Sequence, residues 1–154
     1  MVELWPTVPT RWVGVRSRFF DDHATSPRSG IWPVIGGTSV LRQHLNDFAG
    51  VFVAVGDNAI RSALLRDLEE HAAPIPTIIH CNANVSGRID VDEGCVVVGG
   101  ACINIGAVIS RGVIVNSAAT VDHDCILGDC VHVSPGAHLA GNVRVGERSW
   151  VLSG

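Results

Sequence analysis

Lysine is absent from this chain of 154 residues. Every fixed cation is one of 11 arginines, scattered along the sequence, against 15 Asp and Glu and a net charge of −4. No basic stripe exists to grip a phosphate backbone or an anionic bilayer, which excludes nucleic acid and membrane surfaces as partners. No charged n-region followed by an apolar h-region opens the chain, so a cytoplasmic location is expected. Nor does a membrane-spanning run occur: the apolar stretch Cys95–Ile109 is too short and is interrupted by Gly and Asn. Cysteine is sparse in pattern. The five are an odd number without a C-x-x-C pair, which argues against a disulfide scaffold or a zinc–thiolate site. Cys95 and Cys125 are expected in the core, and Cys81, Cys102 and Cys130 as free thiols.

What the chain does have is a period of six. Ile79, Val85, Val91, Val97, Ile103, Ile109, Val115, Val121, Leu127, Val133, Leu139, Val145 and Val151 occupy every sixth position without a miss. At 47% hydrophobic residues, such a run in one preset phase arises by chance about once in 20,000. Allowing for the best of six phases gives about once in 3,000. A second series, mostly small, lies four residues after each anchor: Ala101, Ala107, Ala119, Cys125 and Ala137 are examples. Each of these stands two residues before the next anchor, so both point to one side of a short strand. The two residues after each anchor, such as Asn116-Ser117, Asp122-His123 and Gly128-Asp129, then read as corners. Hexads of this kind stack into a parallel β-helix, three to a coil.

Residues 12 to 73 read differently. Met1–Thr10 shows no period. Val13–Phe20 alternates as a strand, Asp21-Asp22-His23 closes it with an acidic turn, and Ala24–Gly30 is loop by composition. Thr38 caps a helix through Phe48 that Gly50 terminates. Val51–Val55 is a buried-type strand, Gly56-Asp57-Asn58 a turn, and Ala59–His71 an amphipathic helix with Leu64, Leu65 and Leu68 on its apolar face. Pro74 and Pro76 mark a linker. Residues 12 to 73 are therefore expected to form a small βαβα layer that feeds a parallel β-helix of hexapeptide repeats. A strand, a Gly-containing turn and a helix can also hold nucleotide phosphates. Gly56, Asp57 and Asn58 leave structural turn and ligand loop both open.

Three histidines crowd the later repeats. His123 sits at a corner between Asp122 and Asp124. An imidazole flanked by carboxylates is oriented by them and made more basic, the arrangement a general base needs. Three hexads per coil bring Gly141 onto His123, and a glycine there is expected to leave a slot for a thin ligand near the backbone. Asn116 occupies the corner one hexad before Asp122. His132 and His138 share an outward phase; His138 is read as a surface histidine.

The run NSAATVDHDCILGDCVHVSPGAHLAGNVRVG, Asn116 to Gly146, resembles the signature of the NeuD/PglD-type sugar acetyltransferases. FFDD (Phe19–Asp22), PVIGG (Pro33–Gly37) and FVAVGDNAIR (Phe52–Arg61) extend the resemblance upstream, so that it covers about residues 13–154. The N-x6-H-D-C element is its most specific part. The resemblance implies the fold class, an incomplete, Rossmann-like α/β N-terminal layer (1–76) followed by a left-handed parallel β-helix of hexapeptide repeats (77–154). It implies a trimer that transfers acetyl from acetyl-CoA to an amine or hydroxyl of a sugar, as a rule one linked to a nucleotide. It further implies His123 as general base, with Asp124 orienting it and Asp122 as second candidate. His132 and Gly141 match the acetyl-CoA site, and Asn116 lies near the acceptor. Asp21, Asp22, Gly56, Asp57 and Asn58 match the region that holds the nucleotide. No metal is implied. Two departures stand out: Met1–Trp12 lacks the family's glycine-rich opening loop, and the β-helix is expected to be C-terminally short.

Two other classes remain open. A non-catalytic trimeric remnant would keep the fold and lose a substrate site. A zinc enzyme of the γ-carbonic-anhydrase type would need three converging histidines, and no third histidine matches the phase of His132 and His138.

Overall fold

The structure is a computed structural model that describes the backbone of Val2–Leu4 and residues 17–153. Two compact units divide the chain: Met1–Val55 with Leu64–Pro76, and Gly56–Ala63 with Thr77–Gly154.

The first unit is a five-stranded sheet ordered β3-β4-β2-β1-β5, from β1 (Val2–Leu4), β2 (Phe19–Phe20), β3 (Arg28–Ser29), β4 (Trp32–Gly36) and β5 (Val51–Val53). Helix α1 (Thr38–Gln43) follows β4, and α2 (Asn58–Glu70) follows β5. The expected strand–helix–strand–helix order is present with two further strands, β3 and β4, between β2 and α1. Phe19, Phe20, Val51, Val53, Leu65 and Leu68 are buried in this unit, and Phe20 meets Phe48 edge-on at 5.9 Å.

Three details depart from the sequence reading. β1 runs antiparallel to both β2 and β5, so the sheet is mixed, while β2 and β4 form a parallel pair; three residues are too few to show a period. Arg28–Ser29, expected as loop, pairs with β4 across a turn in which Gly30 has φ 59°. The helix begun at Thr38 stops at His44 and resumes as one 3-10 turn, Leu45–Asp47. There the His44 ring bonds Asp47 at 2.9 Å, a local contact that competes with helix propagation. Val13–Arg16 of the expected first strand lie outside the described residues, as does most of the stretch lacking the glycine-rich loop.

The second unit is the left-handed β-helix. Its strands are two residues long and form three parallel sheets. Face I holds β7 (Asn84–Val85), β10 (Cys102–Ile103), β13 (Thr120–Val121) and β16 (His138–Leu139). Face II holds β8 (Asp90–Val91), β11 (Val108–Ile109), β14 (Ile126–Leu127) and β17 (Arg144–Val145). Face III holds β6 (Ile78–Ile79), β9 (Val96–Val97), β12 (Ile114–Val115), β15 (His132–Val133) and β18 (Trp150–Val151). Cys102 pairs with Thr120, Val108 with Ile126 and Ile114 with His132, the offset of three hexads per coil. The second residue of each strand is the anchor. From Cys95 to Leu139 both inward series are buried in one continuous core. Burial pushes the Cys95 thiol up to about 12, so it packs as an apolar group. Among the described residues no helix is long and apolar enough to cross a membrane.

The corners turn one residue later than the composition suggests. The third residue after an anchor is left-handed in ten hexads. Gly94, Gly100, Gly106, Gly112 and Gly136 fill it, and so do Ala118, Asp124, Cys130, Asn142 and Arg148, with φ between 54° and 77°. A non-glycine residue pays roughly 1–2 kcal/mol for this conformation. The coil-to-coil ladder fixes it: Asp124 N–H donates to Ile105 O at 3.1 Å and Cys130 N–H to Arg111 O at 2.8 Å.

Ala119 is wholly buried on the small inward series. Ala119→Trp should therefore disrupt the stack, lowering stability by about 3 kcal/mol or more, read as a loss of thermal midpoint.

Candidate active site

His123 lies at the corner between faces I and II. Its Nδ1 is 2.8 Å from Asp124 Oδ2, and its backbone N–H donates to Asp122 Oδ1 at 2.8 Å. A carboxylate only accepts, so Nδ1 carries the proton and Nε2 is the basic nitrogen of the neutral ring. The Asp124 hydrogen bond, helped by the charges of Asp122 and Asp124, holds the imidazole above its ordinary value against the opposing effect of desolvation. Both side chains are about half exposed, which leaves the site open to a substrate. Asp122 is itself fixed. It accepts the His123 N–H and the Asn104 side-chain amide at 2.8 Å, and these two bonds hold its carboxyl below the usual range. Asn104 was not singled out in the sequence. It stands one coil before Asp122, and stacking the hexads in threes would have found it.

Gly141 is where the three-hexad stack puts it. A Cβ there would strike the His123 ring, so the ring itself occupies the slot expected for a ligand. His138, on face I, bonds Thr120 Oγ1 at 2.8 Å and is exposed.

Asn116 and His132 meet at a different place, the corner between faces III and I. The Asn116 amide nitrogen is 3.1 Å from His132 Nε2. Its oxygen accepts the Ser117 N–H at 2.8 Å, which fixes the amide as a donor toward the ring. Nε2 of His132 is thus an acceptor, and the proton sits on Nδ1. That nitrogen is buried toward the Gly56 backbone without a well-formed hydrogen bond. At 8% exposure, His132 is not the surface histidine its outward phase allowed. Burial, and then the Arg61 charge, pull it below its ordinary value, so the ring is neutral. Trp150, one coil on, stacks against it at 4.9 Å.

The residues from Gly56 to Arg61 act as a clamp on the coil. Asp57 Oδ1 accepts the N–H groups of Ala59 and Ile60 at 3.0 and 2.9 Å, an N-cap for α2. Asn58 is buried, and its amide donates to Arg148 O and Ser149 O, both at 3.0 Å. Arg61 went unnoticed in the sequence, where an arginine four residues into a helix reads as solvated. It is 1% exposed. It donates to Gly112 O at 2.8 Å, Cys130 O at 2.7 Å, Gly56 O at 3.0 Å and Asn58 Oδ1 at 2.7 Å. Gly112, Cys130 and Arg148 are the left-handed corner residues of successive coils, and the two side chains cap their carbonyls. Cys130 is a free thiol as expected, but a buried one.

In the first unit, Asp21 Oδ1 accepts the His23 N–H at 2.9 Å, which closes the acidic turn. Asp22 accepts both the Thr38 N–H and hydroxyl at 2.9 Å, so Asp22 caps α1, the helix that Thr38 was expected to cap. Among the described residues no group of three or more His, Cys, Asp or Glu is placed to hold a metal ion.

The profile of the PglD N-terminal domain matches residues 15–68. The acetyltransferase domain of PglB from Neisseria gonorrhoeae superposes with a TM-score of 0.79 at 43% identity, over 86% of this chain and 64% of its own. Both matches are to proteins of the NeuD/PglD type of sugar acetyltransferase, which this chain resembles. The same gonococcal domain in complex with acetyl coenzyme A matches at 42% identity with a TM-score of 0.78, over the same shares of both chains. PerB from Caulobacter crescentus, in complex with CoA and GDP-perosamine, matches at 37% identity and a TM-score of 0.77, over 82% of this chain and 61% of that one. The chain thus spans less than two thirds of the length of these relatives.

Arg61→Ala would leave several buried carbonyls without a donor. The variant should lose about 3 kcal/mol of stability, measured by urea unfolding.

Proposed function

We propose that this protein transfers an acetyl group from acetyl-CoA to an amine or hydroxyl of a nucleotide-linked sugar, with His123 as general base. The observation that carries the reading is the His123–Asp124 pair: Nδ1 is held at 2.8 Å by a carboxylate, which leaves Nε2 as the basic nitrogen. As the acceptor nitrogen or oxygen attacks the thioester carbonyl, Nε2 takes its proton. The tetrahedral intermediate then collapses, the C–S bond breaks, and CoA leaves as thiolate and receives the proton from the imidazolium. Asp124 keeps the ring in the right tautomer and stabilises the cation; Asp122 fixes the backbone beneath it. The amine is favoured as acceptor because the Caulobacter relative is a perosamine N-acetyltransferase with GDP-perosamine bound.

In one chain Asn116 and His132 stand at another corner from His123. A homotrimer in which neighbouring β-helices share the acetyl-CoA site would let one subunit's Asn116 and His132 serve another's His123. In that arrangement Asn116 faces the acceptor. His132, with Nε2 engaged and Nδ1 turned inward, braces Asn116 instead of donating to the thioester carbonyl, and Gly141 makes room for the His123 ring beside the cofactor. For the nucleotide, Asp21, Asp22, Asp57 and Asn58 shape the turns. The open space in front of Gly56 leaves room for part of the nucleotide. Five free cysteines accord with a cytoplasmic location.

Release of CoA thiol from acetyl-CoA, with a GDP- or UDP-linked 4-amino sugar as acceptor, tests the reading directly. His123→Ala should keep the trimer and lose on the order of 10²–10⁴ in turnover; unchanged turnover would sink the assignment. The base must be unprotonated and its value is raised from 6.5. So kcat/KM should climb with pH through a midpoint above 6.5, and Asp124→Asn should move that midpoint down.

A further inference from the structure

Gly100, Gly106 and Gly112 are the three left-handed corners of a single coil, with φ of 77°, 75° and 66°. The conformation alone does not require glycine. Ala118, at the equivalent corner of the next coil, adopts φ 54° with a methyl group, and Cys130 and Arg148 adopt 55° and 56° with larger side chains. What distinguishes Gly106 is the residue stacked on it. A Cβ at Gly106 would collide with Asp124 Oδ1, while the other oxygen of the same carboxylate holds His123 Nδ1 at 2.8 Å. A Cβ at Gly100 would meet only Ala118, at 3.7 Å or more.

We propose that Gly106 is a positioning residue for acetyl transfer: its missing side chain lets the Asp124 carboxylate lie against the preceding coil and reach the His123 ring. The inference rests on the reading of His123 as general base. The same coil supplies Asn104, whose amide fixes Asp122 at 2.8 Å, so one coil sets both carboxylates that flank the imidazole. The charges acting on that ring are those of Asp124 and Asp122; Ile105 and Gly141, its neighbours in the stack, carry none. With a methyl group at Gly106, the carboxylate must swing away, and the ring loses the bond that orients it. Geometry at this level of the site is worth a large factor in rate, since small misplacements cost up to about a hundredfold.

The test compares two glycine variants with similar backbone cost. Gly106→Ala should lower kcat about tenfold to a hundredfold with KM for acetyl-CoA unchanged. The His123 titration, followed by NMR of the imidazole resonances, should move down toward an ordinary histidine. Gly100→Ala should leave both the turnover and the titration of His123 as in the unaltered protein. A His123 titration unchanged in Gly106→Ala would overturn the inference. A titration that moves while turnover does not would leave Gly106 as the positioning residue of the dyad and remove His123 from the chemistry, so the two readings fail separately. If Gly106→Ala unfolds, Asn104→Leu probes the same coil: it should lower kcat at constant KM, and turnover unchanged there would count against the coil as the setting of the site.

Discussion

Everything in the second unit depends on the ladder that joins each coil to the next. The backbone N–H groups of each strand donate to the carbonyls of the coil after it, as His132 N–H does to Ser149 O, while corner N–H groups such as that of Asp124 donate to the coil before. Because the strands are only two residues long, the ladder cannot tolerate slippage. A shift of one residue would turn an anchor outward and a surface residue into the core. The left-handed corners are what the ladder enforces, and they explain why alanine, aspartate, cysteine, asparagine and arginine sit where glycine would be easier. The strain is local and the ladder is shared by all coils.

That constraint also builds the site. His123 and Asp124 are adjacent in sequence, and in an extended strand their side chains would point to opposite faces. The left-handed turn at Asp124 folds its carboxylate back toward the imidazole. The coil on one side receives the carboxylate at Gly106, and the coil on the other receives the ring at Gly141. The dyad therefore fits between two glycines on neighbouring coils. The raised value of the imidazole comes from a short bond, not from burial, so the ring stays open to solvent while its orientation is fixed.

The periodic part of the molecule was legible in the sequence because one small unit repeats: anchor, small inward residue and three-hexad coil can all be counted. The pairing of His123 with Gly141 followed from that count alone. Legibility failed where two stretches with no common period meet. Nothing about Arg61 in sequence shows that it is buried, since its partners are main-chain carbonyls with no side-chain signature. Asp22 and Asp57 resemble ligand residues in a motif, yet their carboxylates here cap helices, a role that short acidic side chains fill with equal ease. The brief β1 and β3 strands were invisible for a simpler reason: two or three residues cannot display alternation.

The clamp formed by Asn58 and Arg61 bears on how such a protein can change length. A β-helix grows or shrinks by whole coils, since any other step breaks its register. Gly112, Cys130 and Arg148 hold the clamp at three consecutive levels of the stack. A coil gained or lost between Gly112 and Arg148 would pull one bond out of reach. Duplication is thus free to act on the coils before Gly112, while the segment that carries His123 and His132 is held at a fixed count, as a ruler holds its marks.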